Sequence, residues 1–173
     1  IHPYNIGLDK LRELNPSGIV MSGGPSSVYD NDAPTSDPAL FELGIPVLGI
    51  CYGAQLMMQQ LGGEVEKADH REFGKAELQI SYTRGIFAGM ETEPTRYQVW
   101  MSHGDRVEKA APGFVATASS GHSPFAALRH EKKPFVAVQF HPEVAHTLIG
   151  NDILRNFIFD LCGCHPEWTM HSF

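Results

Sequence analysis

The chain has few cysteines and no long apolar run. Only 3 of its 173 residues are cysteine, and Cys162 and Cys164 are too close in sequence to bridge comfortably. This sparse usage favours a reducing, cytoplasmic setting over a disulfide-stapled secreted protein. No apolar stretch approaches the roughly 18–20 residues that a membrane-spanning helix needs. We therefore expect no membrane partner.

Basic residues are also scarce. The sequence contains 13 Lys and Arg against 20 Asp and Glu, which gives a net charge of −7. The basic residues are scattered, whereas a nucleic-acid surface requires clustered Lys and Arg to neutralise phosphates. We therefore expect no nucleic-acid partner. A chain of this length fits one domain with a real hydrophobic core.

The periodicity indicates an α/β fold. Residues 18–22 and 46–50 are uniformly apolar, as in strands buried on both faces of a sheet. A helix at 54–61 follows the second strand directly. Other helices are predicted at 9–14, from Asp37-Pro38 to Gly44, and at 152–161, with Ile153, Leu154, Phe157, Ile158 and Leu161 as core residues.

The middle of the chain has a different character. Between residues 65 and 140, short strand-like segments are separated by turn residues, which favours antiparallel pairing. These segments are 76–81, 98–101, 114–118 and 135–140. The whole pattern predicts one α/β domain with a mixed sheet.

Residues 49–53 have the form Gly-x-Cys-x-Gly between a buried strand and a helix. This is the cysteine version of a nucleophile elbow, in which a sharp turn projects Cys51 above the sheet. The flanking glycines remove Cβ atoms that would oppose the turn. We expect the helix N-terminus to lower the thiol pKa and favour the thiolate. The amide of Tyr52 is a candidate donor to a substrate oxyanion.

A general base is supplied by His141. Glu143 lies two residues further on, so in extended backbone both side chains project to the same side. Glu143 is then placed to orient the imidazole while His141 faces the thiol. Taken alone, His-x-Glu is weak, but with the cysteine elbow it predicts a catalytic triad.

A glycine turn follows the first buried strand. Residues 22–25, Ser-Gly-Gly-Pro, offer backbone amides without side chains at the carboxyl end of the sheet, where ligand sites of α/β proteins form. A plain structural turn is the alternative interpretation.

These elements together resemble the class I, or triad, glutamine amidotransferases. The motifs are Ser-Gly-Gly-Pro at 22–25, Gly-Ile-Cys-Tyr-Gly-Ala-Gln at 49–55 and Gln-Phe-His-Pro-Glu at 139–143. Segments 71–74, 100–105 and 141–147 most resemble the branch of the family that serves GMP synthesis. The resemblance implies an α/β amidotransferase fold with a mixed, mostly parallel sheet flanked by helices, lacking the usual first strand and helix.

The resemblance implies hydrolysis of L-glutamine through a thioester on Cys51. His141, oriented by Glu143, would protonate the departing ammonia, and the amides of Gly24 and Tyr52 would stabilise the oxyanion. The α-amino and carboxylate ends of glutamine would be bound by Gln55, Ser102, Gly104 and Asp105.

The resemblance also implies partners. Ammonia would pass to an ATP pyrophosphatase (synthetase) domain of the same full-length chain, which uses ATP and Mg²⁺ to aminate XMP to GMP. No cofactor is expected in this domain, and no metal site is expected at Cys162, Cys164 and His165, because a fourth ligand is missing. Residues 1–173 are expected to be the glutaminase part of a longer chain, with 165–173 starting a linker and a homodimer forming through other regions. Arg71 and Glu72 are candidates for contact with the synthetase.

Three alternatives stay open. The fold could serve a non-catalytic regulatory module, which the intact Cys51, His141 and Glu143 disfavour. It could belong to another cysteine hydrolase, such as a γ-glutamyl peptidase or an intracellular-protease-like protein, which substrate range would separate. It could also feed a different synthetase, which the segment 102–105 disfavours.

Overall fold

A computed structural model describes residues 1–166, apart from the side chains of residues 68–71. In chain order the helices and strands are α1 (Leu8–Leu14), β1 (Ile19–Met21), β2 (Val47–Ile50), α2 (Tyr52–Gln60), β3 (Glu64–Ile80), β4 (Tyr97–Lys109), β5 (Phe114–Ser119), β6 (Ala127–His130), β7 (Phe135–Val138) and α3 (Gly150–Arg155). Short 3₁₀ helices cover Pro38–Glu42 and Gly85–Phe87, and α3 continues as a π-helical segment, Asn156–Leu161. Within this described part, no helix is long and apolar enough to cross a membrane.

The strands form a mixed sheet in the order β1-β2-β7-β6-β5-β3-β4. β1 pairs in parallel with β2, and β2 with β7. The other four pairings of described strands are antiparallel. The predicted α/β mixed sheet is confirmed, but the expectation that it is mostly parallel is wrong. Short connections join β5, β6 and β7, and such connections can close only antiparallel pairs.

The strand predictions are accurate near the nucleophile and incomplete elsewhere. The apolar segments at 18–22 and 46–50 form β1 and β2. β3 and β4 are much longer than predicted because they pair with each other along a two-stranded arm, with an irregularity between Lys67 and Glu72. β6 was not predicted, since four residues are too few to show a clear alternation.

Two apolar layers cover the two faces of the central strands. Leu48 of β2 and Val136 of β7 point into one layer, while their neighbours Val47 and Phe135 point into the other. This alternation follows from the two-residue period of a strand. Because both faces are covered, β2 is fully buried, and Cys51 follows at its carboxyl end.

The C-terminal helix departs from its predicted pattern. Ile153 and Phe157 are buried as expected, at 0% and 1% exposure, and Leu154 and Leu161 pack at the margin of the core. Ile158 is 42% exposed, so the prediction that it lies in the core is wrong. The π-helical turn holds more residues than an α-helical turn, which rotates Ile158 out of the apolar stripe.

Candidate active site

Cys51 occupies a strained turn between β2 and α2. Its backbone has φ +49° and ψ −107°, a region that non-glycine residues rarely adopt. Its amide donates to the carbonyl of Val138 at 2.8 Å, which ties the turn to β7. α2 begins at the next residue, Tyr52. This is the strand–turn–helix geometry that the Gly-x-Cys-x-Gly pattern predicts.

The two glycines of the pattern are required by close packing. A Cβ at Gly49 would lie 2.7 Å from the Cα of Ala54. A Cβ at Gly53 would overlap the carbonyl oxygen of Met21 and lie 2.7 Å from its Cβ. The glycines therefore let α2 lie directly against β1 and β2.

The thiol of Cys51 is buried and has two polar neighbours. The residue is 3% exposed. Its Sγ donates to the carbonyl of Ser102 at 3.6 Å and lies 3.8 Å from Nε2 of Gln139, which donates to it. The resting cysteine is therefore held as a shielded thiol, with one acceptor and one donor around the sulfur.

Burial, with a smaller contribution from the negative charge of Glu143, raises the pKa of Cys51 to about 11. The backbone amide of Tyr52 and the side chain of Gln139 both lower this pKa, but less than burial raises it. The expectation that the helix N-terminus produces a thiolate is therefore wrong for the resting site. Removing the sulfur from water outweighs the donors at the start of α2.

His141 and Glu143 meet as predicted. Nδ1 of His141 lies 2.7 Å from Oε1 of Glu143. The pair sits in a turn after β7, not in the extended backbone assumed from sequence. Nε2 of His141 is buried and has no hydrogen-bond partner among the described residues. Glu143 thus orients the imidazole through Nδ1, while Nε2 is left without a hydrogen-bond partner among the described residues.

Gly23 shows how close Cys51 and His141 are. A Cβ at Gly23 would lie 2.9 Å from Cε1 of His141 and 3.6 Å from Cβ of Cys51. Both side chains therefore converge on this one glycine. The neighbouring Gly24 packs against Tyr52, since a Cβ there would lie 3.7 Å from Cγ of the tyrosine ring. The glycine turn after β1 thus borders the same site as the cysteine elbow.

The residues predicted to bind substrate lie together beside α2. Gln55 is 3% exposed, and its Nε2 donates to the carbonyl of Asp105 at 2.7 Å. Ser102, Gly104 and Asp105 belong to β4. The arm formed by β3 and β4 therefore brings this segment back over the start of α2.

The comparisons with known proteins agree with this geometry. The family model described as "Glutamine amidotransferase class-I" matches residues 1–161. The chain belongs to the class-I glutamine amidotransferase family. The resemblance inferred from the motifs is confirmed.

Within the family, this amidotransferase domain is similar to curated GMP synthases and to a solved structure. It is 65% identical to a glutamine-hydrolysing GMP synthase of Desulfotalea psychrophila and 55% identical to one of Heliobacterium modesticaldum, in each case over all of this chain and 33% of the relative. The crystal structure of a Thermoplasma acidophilum protein, described as one of the subunits of a GMP synthase, matches with a TM-score of 0.78 and 34% identity, covering 90% of this chain and 77% of that one. The chain spans about a third of the length of the curated relatives it matches.

A buried contact between His103 and Glu72 lies next to the amidotransferase site. Nε2 of His103 is 3.3 Å from Oε2 of Glu72, although the approach does not meet hydrogen-bond geometry. Ser120 donates its hydroxyl to the same carboxylate. Glu72 therefore points into the domain, which counts against the prediction that its side chain contacts a synthetase. The side chain of Arg71 lies outside the described part of the chain, as does most of the predicted linker at 165–173.

Replacing Glu72 should change the pH dependence of stability. Burial alone would raise the pKa of Glu72, but the nearby His103 imidazole and the hydrogen bond from Ser120 lower that pKa below its ordinary value. A carboxylate with a lowered folded pKa stabilises the fold above its unfolded pKa and loses that contribution as pH falls through the folded pKa. We expect Glu72→Gln to reduce the free energy of unfolding by about 1–3 kcal/mol at pH 7, and the deficit to shrink below about pH 4.

Urea unfolding of both proteins between pH 7 and pH 3 checks this. Glu77→Gln is the matched control, because Glu77 is an exposed carboxylate of the same strand. A constant deficit across the pH range would contradict the assignment.

Sequence reasoning assigned no individual role to three residues of this amidotransferase site. Thr147 is 4% exposed, and its hydroxyl donates to the carbonyl of His141 at 2.6 Å and accepts from the amide of Trp100 at 3.0 Å. Gln139 contacts the sulfur of Cys51. Gly23 lies against both Cys51 and His141. All three lay inside motifs already identified, but their residue types alone do not indicate a role.

Proposed function

We propose that this domain hydrolyses L-glutamine to glutamate and ammonia through a thioester on Cys51. The observation that supports it most is the convergence of the strained cysteine and the oriented histidine on Gly23. We propose further that the ammonia serves an ATP pyrophosphatase domain of a full-length chain, which uses ATP and Mg²⁺ to aminate XMP to GMP. The relatives that the chain matches are glutamine-hydrolysing GMP synthases.

The first half of the reaction forms the thioester. The Cys51 proton moves to Nε2 of His141, and the sulfur attacks the side-chain amide carbon of glutamine. The carbonyl oxygen becomes an oxyanion, which the amides of Gly24 and Tyr52 stabilise. His141 then gives its proton to the amide nitrogen, the carbon–nitrogen bond breaks, and ammonia leaves.

The second half restores the enzyme. Water gives a proton to His141 and attacks the thioester, and the resulting intermediate expels the Cys51 sulfur, which recovers the proton. Glu143 keeps the imidazole in one orientation and stabilises the positive charge it carries twice in the cycle. A thiol whose pKa burial raises to about 11 needs this base, because it is almost entirely protonated at neutral pH.

The same proposal assigns substrate binding and assembly. Gln55 and the segment with Ser102, Gly104 and Asp105 bind the α-amino and carboxylate ends of glutamine. The carboxylate of Asp105 is chemically suited to the ammonium group.

The domain needs no cofactor of its own. The full-length protein is proposed to be a cytoplasmic homodimer that associates through regions outside this domain.

The test is covalent labelling with the glutamine analogue 6-diazo-5-oxonorleucine, followed by intact mass and peptide mapping. We expect a single adduct on Cys51 that excess glutamine prevents, because the analogue carries the amino-acid end that the pocket recognises. Cys162 and Cys164, which are free thiols remote in sequence, serve as internal controls. Labelling spread over all three cysteines, or none at Cys51, would contradict the proposal.

A further inference from the structure

Gln139 contacts the sulfur of the nucleophile from inside the protein. It follows β7 directly and is 1% exposed. Its Nε2 lies 3.8 Å from Sγ of Cys51, and its backbone amide donates to the carbonyl of Ala126 at 2.9 Å. A buried amide in this position is costly unless its polar atoms are paired, so its contacts define its orientation.

The direction of the Gln139 amide is fixed by a neighbouring glutamine. The carbonyl of Asp105 can only accept, so the end of Gln55 that lies 2.7 Å from it is the Nε2 donor. The same Nε2 lies 3.3 Å from Oε1 of Gln139. With its oxygen turned to Gln55, Gln139 must turn its N–H group toward Cys51. The orientation of both side-chain amides is thus assigned from the backbone oxygen of Asp105, an atom whose identity is not ambiguous.

The two polar neighbours of the sulfur favour opposite protonation states. The bond to the Ser102 carbonyl at 3.6 Å requires the thiol proton, and is lost when that proton leaves. The N–H of Gln139 can donate to sulfur in either state and binds the charged one more strongly. We propose that Gln139, oriented by Gln55, is a positioning residue that holds an N–H donor against Cys51 and stabilises the thiolate. This inference rests on the proposed function, because the thiolate it stabilises is the one that attacks glutamine.

The contacts around Cys51 are consistent with this role. The side chain of Gln139 lowers the pKa of Cys51, against the larger rise that burial causes. Gln139 is buried and contacts the sulfur directly, so its side chain acts on the nucleophile and does not itself face the substrate.

Gln139→Met tests the inference, because methionine fills a similar volume without an N–H donor. We expect the maximal rate of inactivation by 6-diazo-5-oxonorleucine to fall about tenfold, the effect of one pKa unit in the thiol. The concentration for half-maximal rate should change much less than the maximal rate, because the bond from Gln55 to the Asp105 carbonyl is kept. A raised half-maximal concentration with an unchanged maximal rate would overturn the inference.

Gln59→Met is the matched control. Gln59 lies on the same helix as Gln55, and its Nε2 donates to the carbonyl of Val28 at 3.3 Å. This variant loses a partly buried hydrogen bond that does not involve Cys51, so its inactivation rate should equal that of the parent chain. An equal fall in both variants would overturn the inference, because it would indicate a general loss of packing.

Alkylation by iodoacetamide, mapped at Cys51, separates this inference from the proposed function. This reagent carries no amino-acid group, so it reports thiolate reactivity even if the glutamine analogue does not label the parent chain. We expect about tenfold slower alkylation of Cys51 in Gln139→Met, and an unchanged rate would overturn the role of Gln139 alone. If that variant does not fold, Gln55→Met, which releases the orienting bond, should slow alkylation severalfold. An unchanged rate there would likewise overturn the inference.

Discussion

Cys51→Ala should abolish ammonia release from glutamine, with a loss of about a thousandfold or more. The change removes the only atom that could form the thioester in the proposed reaction, and the remaining parts of the site cannot replace a nucleophile. Because the side chain is small and alanine removes only its sulfur, the fold itself should be little affected. Ammonia release coupled to glutamate dehydrogenase measures the loss, and circular dichroism checks the fold.

Cys164→Ala provides the matched control for this experiment. Cys164 is a free, half-buried thiol near the C-terminal helix, and its removal should leave ammonia release within about twofold of the parent chain, as expected of surface changes away from a site. Equal loss in the two variants, or retained activity in Cys51→Ala, would show that the cysteine elbow is not the reaction centre.

Gly53→Ala should unfold the domain or destabilise it by roughly 3 kcal/mol or more. The added methyl group would overlap the backbone carbonyl of Met21 in β1, and a backbone atom within a sheet cannot move aside as a flexible side chain can. The start of α2 would have to move away from the sheet, carrying Cys51 with it. Urea unfolding, followed by tryptophan fluorescence, measures the change in free energy.

The control for Gly53→Ala is Gly121→Ala. A Cβ at Gly121 meets nothing within 4 Å, so the unfolding free energy should change by less than about 0.5 kcal/mol. Similar stability of both variants would mean that α2 does not pack against β1 as described.

The sequence predicts best where local pattern and tertiary structure agree. The apolar segments that form β1 and β2, and the glycines around Cys51, are local signals, and the structure confirms them. The β3–β4 arm is different, because its length depends on how two distant strands pair. No local pattern could show that pairing in advance.

The residues of the site also divide into those that a local pattern predicts and those that depend on distant parts of the chain. The contact between His141 and Glu143 is local, so it was predicted correctly even though the backbone there is a turn. The protonation of Cys51 was predicted wrongly, because the sequence shows the helix that follows but not how completely the surrounding elements exclude water. Gln139 was noted as part of a motif, but its contact with the sulfur depends on Gln55 and on β4.

The arm of β3 and β4 has a consequence for how the domain acquires activity. β4 is last in the strand order, and yet Ser102 contacts Cys51, 51 residues earlier, and Gln139 reaches the same sulfur across 88 residues. Contacts between such distant parts of a chain close large loops, and they form late in folding because their entropy must be overcome first. No short piece of the chain holds Cys51 together with these two polar neighbours. Recovery of the proposed glutaminase activity during refolding should therefore trail the recovery of secondary structure, which makes activity a sensitive reporter of the completed fold.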